Sequence, residues 1–224
     1  MSRWRRRLRA AAHWLGARGR QLGVLPYQPE RWTTDRWDAA YGEGSLDYYG
    51  QLDELPRYSI IAGYVGWFAA ARRGSRPRVI DVGCGTGLLR ERLDGETFAE
   101  YVGVDVSHVA IQAASARGLP RSRFVVGEIP TLDLGRFDVA VLNEVLYYEA
   151  DASSFLTNLR SLLEPDAIVI ISMWRHAGDR ILWRRVNDVF PILDRVEARN
   201  RANAINPRGW VIACCRAEPS GARR

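Results

Sequence analysis

Val79-Ile80-Asp81-Val82-Gly83-Cys84-Gly85-Thr86-Gly87-Leu88 is the stretch on which the fold turns. Short aliphatic residues around an acid run into glycines at alternate positions, and a leucine-led segment follows. That is the pattern of a strand, a tight turn and a helix start. Glycine has no Cβ, so such a turn can adopt positive φ and let a ligand lie against its backbone. Further on, Tyr101-Val102-Gly103-Val104-Asp105 reads as a second strand ending in an acid, 24 residues after Asp81. A carboxylate at the end of the second strand is placed to accept both hydroxyls of a ribose. Glycine turn and acid together point to a nucleoside cofactor.

Working outward, short apolar strands alternate with helices. The expected strands are Arg78–Asp81, Tyr101–Asp105, Arg123–Val126, Phe137–Asn143 and Ala167–Met173, with helices over 87–94, 107–117, 152–163 and 179–189. Continuous β-branched runs between helices indicate a parallel sheet covered on both faces. The last pair, Leu193–Asn200 and Trp210–Cys215, is joined by a turn-rich stretch too short for a crossover, so it is expected to be antiparallel. Ahead of the first strand, Leu55, Tyr58, Ile61, Ala62, Val65 and Phe68 form an apolar stripe on a helix from Asp53 to Arg73, which Gly74 and Pro77 close. The class is α/β, a doubly wound, mostly parallel sheet with a C-terminal antiparallel strand and N-terminal helices.

Two common nucleotide loops are excluded by missing residues. A dinucleotide fingerprint needs its third glycine where Leu88 stands, and a phosphate-binding P-loop needs a lysine, which this chain lacks altogether. The motifs resemble those of the class I S-adenosylmethionine (SAM)-dependent methyltransferases, Rossmann-like enzymes, over roughly residues 53–216. Ile80–Gly87, Gly103–Ser107 and Phe137–Tyr148 match their first, second and fourth-strand segments. The resemblance implies SAM as cofactor. Asp81, Gly83, Cys84, Gly85 and Gly87 would hold its methionine end, Asp105 and Val106 its ribose, and Gly127, Glu128 and Ile129 its adenine. The backbone at Asn143 would lie along it. Many members carry Asp where Glu128 stands. A looser likeness, at Trp37, Tyr41, Glu54, Arg57 and Tyr58, is to small-molecule methyltransferases such as the nodulation N-methyltransferases of oligosaccharides. It implies Arg57 pairing with the SAM carboxylate, and Trp37 and Tyr41 forming a lid.

Methyl transfer from a sulfonium is an in-line displacement by a donor that is already activated, so positioning dominates. A neutral acceptor also needs a base for its proton. Glu144, directly after the fourth strand, could orient the cofactor, act as that base, or cap a turn. Tyr147 and Tyr148 could line an acceptor pocket or pack in the core. His176, after the fifth strand, is the best-placed histidine for a base; His13 and His108 fall on expected helix surfaces. Arg175 could meet an anionic acceptor. Transfer to an O or N atom of a small molecule (sugar, glycoconjugate or natural-product intermediate) is expected, while the choice among O, N and C and the identity of the acceptor are left open.

The net charge of +6 and pI near 9.6 raise the question of nucleic acid. Seven of the 32 Arg lie before Pro29 with no acid among them, which leaves 25 against 26 acidic residues in the rest. The basic character thus belongs to an arm, residues 1–25. Its stretch 3–22 reads as an amphipathic helix with Trp4, Leu8, Ala11, Ala12 and Leu15 on one face. Such an arm suits weak contact with an anionic membrane or surface, or is simply a solvated helix. No nucleic acid is expected for the core. An RNA methyltransferase using the arm and a non-catalytic SAM-binding subunit stand as alternatives. Asn143-Glu144-Val145-Leu146 lacks the Pro-Pro of amino-methylating nucleic-acid enzymes, and no Cys follows a Pro. Residues 26–77 are expected to form a helical lid and substrate segment, and 78–224 the cofactor-binding core. Three cysteines in no zinc or disulfide spacing suggest a reducing cytoplasm and no metal.

Overall fold

The computed structural model describes residues 32–72, 74–175, 179–200 and 208–217. The expected helix at 3–22 and His176 lie outside these residues. Seven strands form one sheet: β1 (Arg78–Val82), β2 (Glu100–Asp105), β3 (Ser122–Val126), β4 (Phe137–Asn143), β5 (Leu163–Trp174), β6 (Ile192–Asn200) and β7 (Arg208–Arg216). Their order is β3-β2-β1-β4-β5-β7-β6. The first five are parallel, and β7 runs antiparallel between β5 and β6, as the short final connection requires. The chain leaves β1 toward β2 and β3, then returns to the other side at β4. That reversal opens a crevice beyond the carboxyl ends of β1, β2 and β4, the usual ligand position in such sheets.

Alternation along each strand builds two cores. Ile80, Val82, Ala140, Leu142, Val169 and Ile171 face Leu156 and Leu159 of α5 (Ala152–Ser161) and Leu182, Trp183 and Val186 of α6 (Asp179–Val189). On the other face Val79, Val139, Val141, Ile168, Ile170 and Trp210 meet Tyr58, Ile61, Val65 and Phe68 of α2 (Leu55–Ala71). α2 is therefore part of the sheet's own core. The expected apolar stripe is the one that packs. Among the described residues, no helix is long and apolar enough to cross a membrane.

Three expectations need correction. The helix expected at 87–94 is only α3, Leu88–Arg92, because Leu93 turns extended (φ −90°, ψ 134°) and buries its side chain ahead of the Asp94-Gly95 turn. Strand β5 starts at Leu163 rather than Ala167. Glu164-Pro165-Asp166 reads as a turn, yet Leu163 pairs with Phe137 before a bulge brings Ile168 opposite Val139. The helix before it accordingly stops at Ser161, where 163 was expected. The aromatic segment before α2 contains a helix, α1 (Thr34–Gly42), and single 3-10 turns at Asp47–Gly50 and Leu52–Glu54.

Candidate active site

The glycine turn follows β1 at the centre of the sheet. Gly83 and Gly85 both have positive φ, 73° and 53°. A Cβ on Gly83 would collide with the Val145 side chain, and one on Gly85 would stand 2.8 Å from the Tyr41 hydroxyl. Backbone conformation and close approach thus both require glycine at these positions. Gly83 and Cys84 donate their N–H groups to the Val104 carbonyl, which ties the turn to β2. Asp105, at the end of β2, closes the turn: Oδ2 accepts from Gly85 N (2.9 Å) and Oδ1 from Ser107 N (2.9 Å). Burial pushes its carboxyl above the ordinary value, and the two backbone N–H groups pull it back. Each carboxylate oxygen has a second lone pair, and the residue lines the cleft.

That cleft has a volume of about 580 Å³, within the range of roughly 300–1,000 Å³ usual for small-molecule sites. Gly83, Cys84, Gly85, Val106, Glu128 and Ile129 lie along one side of it with Asp105. Asp81 does not line it. Its Oδ2 accepts from the Tyr101 hydroxyl, while Oδ1 is buried with no hydrogen-bond partner among the described residues. Burial, only partly countered by Tyr101, pushes its carboxyl up to about 7 from the ordinary 3.8. Between those values the folded chain holds a proton that the unfolded chain has released, so stability falls as pH rises from about 4 to about 7. Asp81→Asn removes that titration. Its stability relative to wild type, without ligand, is expected to improve by up to about 4 kcal/mol between pH 4 and pH 8. Urea unfolding at both pH values measures this, and a gap that stays constant with pH would refute it.

Opposite the glycine turn lies a buried polar cluster built by α2, β4 and β5. Arg57 donates from Nη2 to Glu54 Oε2 (2.9 Å) and from Nη1 to Asn143 Oδ1 (3.0 Å), and Nη1 is 3.9 Å from Glu144 Oε1. Burial opposes the charge of Arg57, but Glu144 and Glu54 outweigh it and raise its pKa above the ordinary value. Ser172 Oγ lies 2.9 Å from both Glu144 Oε1 and Asn143 Oδ1. Glu144 Oε2 accepts from the Tyr147 hydroxyl (2.8 Å) and Trp174 N (3.1 Å). Its backbone sits at φ 65°, a conformation that costs a non-glycine residue energy and persists only where the surroundings impose it. The surroundings here are explicit: Glu144 N donates to the Ser172 carbonyl while the side chain is held from both sides.

The cleft's outer wall is aromatic. Trp37 and Tyr41 project from α1 one turn apart, and Trp37 meets Tyr148, beyond β4, edge-on at 4.9 Å between ring centroids. Trp32 completes the group, 4.5 Å from Trp37 and 6.0 Å from Tyr148.

The structure therefore brings Arg57, Gly83, Cys84, Gly85, Asp105, Val106, Glu128, Ile129, Asn143 and Glu144 around one cleft. Asp81 lies just beneath it, and Tyr147 is turned onto Glu144 instead of lining it. Gly87 caps α3 with a left-handed φ of 79°. Arg175 points away, 3.3 Å from Glu197. Sequence reasoning missed the Tyr101–Asp81 bond and the role of Ser172, whose partners are 20 and 28–29 residues distant. Among the described residues no group of three or more His, Cys, Asp or Glu could hold a metal ion.

Comparison with known proteins agrees with this geometry. Residues 65–204 match the family model of a methyltransferase domain. Trans-aconitate 2-methyltransferase of Deinococcus radiodurans is 32% identical over 116 residues, which cover 50% of this chain and 44% of that relative. The chain thus spans less than half the length of this curated relative. Among solved structures, the N-methyltransferase NodS from Bradyrhizobium japonicum, in complex with S-adenosyl-L-homocysteine, superposes with a TM-score of 0.60 at 19% identity, covering 74% of this chain and 88% of its own. The 1,6-didemethyltoxoflavin-N1-methyltransferase of Burkholderia thailandensis does so with a TM-score of 0.65 at 19% identity, covering 83% and 87%. These two likenesses establish the shared fold. With a family model over more than half of its length, laid on this sheet and this glycine turn, the chain belongs to the methyltransferase-domain family.

Proposed function

We propose that this protein binds SAM and transfers its methyl group to an O or N atom of a small molecule. One observation carries the reading. A buried carboxylate, Asp105, ends β2 with one lone pair of each oxygen committed to the glycine turn and the α4 start (His108–Ala116), and it opens on a cleft of small-molecule size. That is what a ribose diol requires. The orphaned Asp81 Oδ1 beneath the turn and the adjacent Tyr101 hydroxyl fit the polar, cationic amino-acid end of such a cofactor.

SAM supplies a methyl group already activated by its sulfonium charge. The chain's own contribution is to hold and orient, and alignment of two reactants is worth roughly 7–11 kcal/mol of the barrier. Asp105 accepts the ribose hydroxyls, and the turn at Gly83–Gly85 leaves room for the backbone to approach. The aromatic wall of Trp32, Trp37 and Tyr148 keeps water from the reacting atoms and presents ring faces to the acceptor. Glu144, with both oxygens engaged by Ser172, Tyr147 and Trp174, holds Asn143 and Arg57 in place rather than collecting a proton. His176 is retained as the candidate base. The match with trans-aconitate 2-methyltransferase and the cleft's modest volume support an acceptor of metabolite size.

Calorimetric titration of the full chain with SAM is expected to show one saturable site. Incubation with SAM and a panel of amino sugars, hydroxylated aromatics and carboxylic acids is then expected to release S-adenosylhomocysteine for one class. Absence of SAM binding would sink the reading. Binding without turnover on any acceptor, alone or with cell extract, would favour a SAM-binding subunit over an enzyme.

A further inference from the structure

Helix α1 forms the outer wall of the cleft, yet none of its residues is fully buried. Something other than core packing must hold it there. On the β4 side the hold is Trp37 against Tyr148. On the β2 side it is Asp38, next to Trp37 in sequence. Asp38 Oδ1 accepts from the Ser107 hydroxyl at 2.6 Å and from Val109 N at 3.2 Å, reaching across 69 and 71 residues. Ser107 is fully buried and is the N-cap of α4, its Oγ also accepting from Ala110 N at 3.1 Å. The same residue donates its backbone N–H to Asp105. A single buried serine thus joins the carboxylate at the end of β2 to a carboxylate on the lid helix.

We infer that Asp38 is a positioning residue for the methyl-transfer site: through Ser107 it latches the α1 lid to the ribose-binding carboxylate, so that lid docking and cofactor retention are coupled. The inference rests on the reading that Asp105 holds the cofactor's ribose. The coupling has a direct physical form. While Asp38 is bonded, the Ser107 hydroxyl is pinned, the Ser107 N–H stays aligned on Asp105 Oδ1, and the remaining lone pairs of Asp105 keep facing the cleft. With Asp38 bonded, Tyr41 also stays over Gly85, where its hydroxyl closes the glycine turn from outside. Without that bond, α1 keeps only its aromatic edge, and a bound cofactor loses its cover.

A purely structural role would be different. Asp38 would then only add a second acceptor to the first turn of α4, and its loss would lower thermal stability without altering cofactor exchange. The experiment separates the two with the full chain in three forms: wild type, Asp38→Ala and Asp38→Asn. SAM and S-adenosylhomocysteine are the probes, with dissociation constants from calorimetry, release rates from stopped-flow tryptophan fluorescence and melting curves alongside. Asp38→Ala is expected to weaken both probes about tenfold, mainly by faster release, as loss of hydrogen bonds to a charged group would. Asp38→Asn keeps an Oδ1 acceptor for Ser107 and Val109, and is expected to stay within about threefold of wild type, since a neutral acceptor retains the bonds at reduced strength. Wild-type affinity and release in a folded Asp38→Ala protein would overturn the latch. So would equal weakening by Asn and Ala, which would assign the effect to charge alone. A wild-type chain that binds neither probe would instead overturn the assignment of Asp105 beneath it.

Discussion

Asp105→Ala is expected to weaken SAM binding by at least a hundredfold while leaving the chain folded. Two charge-assisted hydrogen bonds to a ribose are worth about 1.5–3 kcal/mol each, and their loss alone gives that factor. The substitution also leaves Gly85 N and Ser107 N without their acceptor at a nearly buried place. The glycine turn and the start of α4 therefore loosen together, for a stability loss of about 2–4 kcal/mol. Asp105→Asn provides the contrast. One amide oxygen still accepts from one backbone N–H, but the NH₂ group turns a donor toward a donor at the other. Its affinity should be reduced nearly as far, with a smaller loss of stability. Calorimetric titration and thermal melting on the same preparations read both quantities. An Asp105→Ala protein that binds SAM as wild type does would remove the basis for a nucleoside site.

The second large effect is on stability. Glu144→Ala is expected to cost about 3–5 kcal/mol, the range for removing one member of a buried charge pair. Glu144 is the meeting point of three segments: α2 through Arg57, β5 through Ser172 and Trp174, and the turn after β4 through Tyr147. Burial raises the pKa of Tyr147, reinforced by the neighbouring Glu144, so its hydroxyl remains a donor at any physiological pH. With alanine at 144 the Tyr147 hydroxyl and Trp174 N lose this acceptor, while Ser172 Oγ keeps Asn143 Oδ1. Arg57 keeps only Glu54 as a counter-charge. The left-handed backbone at residue 144 gives alanine no relief, so strain does not offset the loss. Glu144→Gln keeps an acceptor oxygen but not the charge, and should cost about half as much, in line with neutral against charged hydrogen bonds. Urea unfolding checks the order Glu, Gln, Ala. A loss under about 1 kcal/mol for alanine would show that the cluster is not the support that its geometry indicates.

Much of the fold was legible because its signals are local. A strand buried on both faces must be apolar throughout, and a turn at positive φ must use glycine, so β1, its loop and β2 could be recognised within a few residues. The antiparallel end was legible for an equally local reason, since the link between β6 and β7 is too short to cross the sheet. Where two local signals competed, the reading failed. Glu164-Pro165-Asp166 has the composition of a turn, but Leu163 pairs with Phe137 and starts the strand early. In the same way α3 ends early because burying Leu93 outweighs another helical turn.

For the site, the sequence alone determined where a nucleoside pocket is to be sought: a glycine elbow and an acid ending the next strand form a pattern legible within a few residues. What only the tertiary structure decided is which partners the polar residues around them have. Glu144 gives no sign along the chain of Ser172, Trp174 and Arg57, which hold it from other elements. Asp38 carried no signal, because an acid in a short aromatic helix is unremarkable until Ser107, 69 residues later, donates to it. The physical reason is common to both. A side chain's hydrogen-bonding partners are set by which segments fold against it, and a one-dimensional pattern records only its neighbours along the chain.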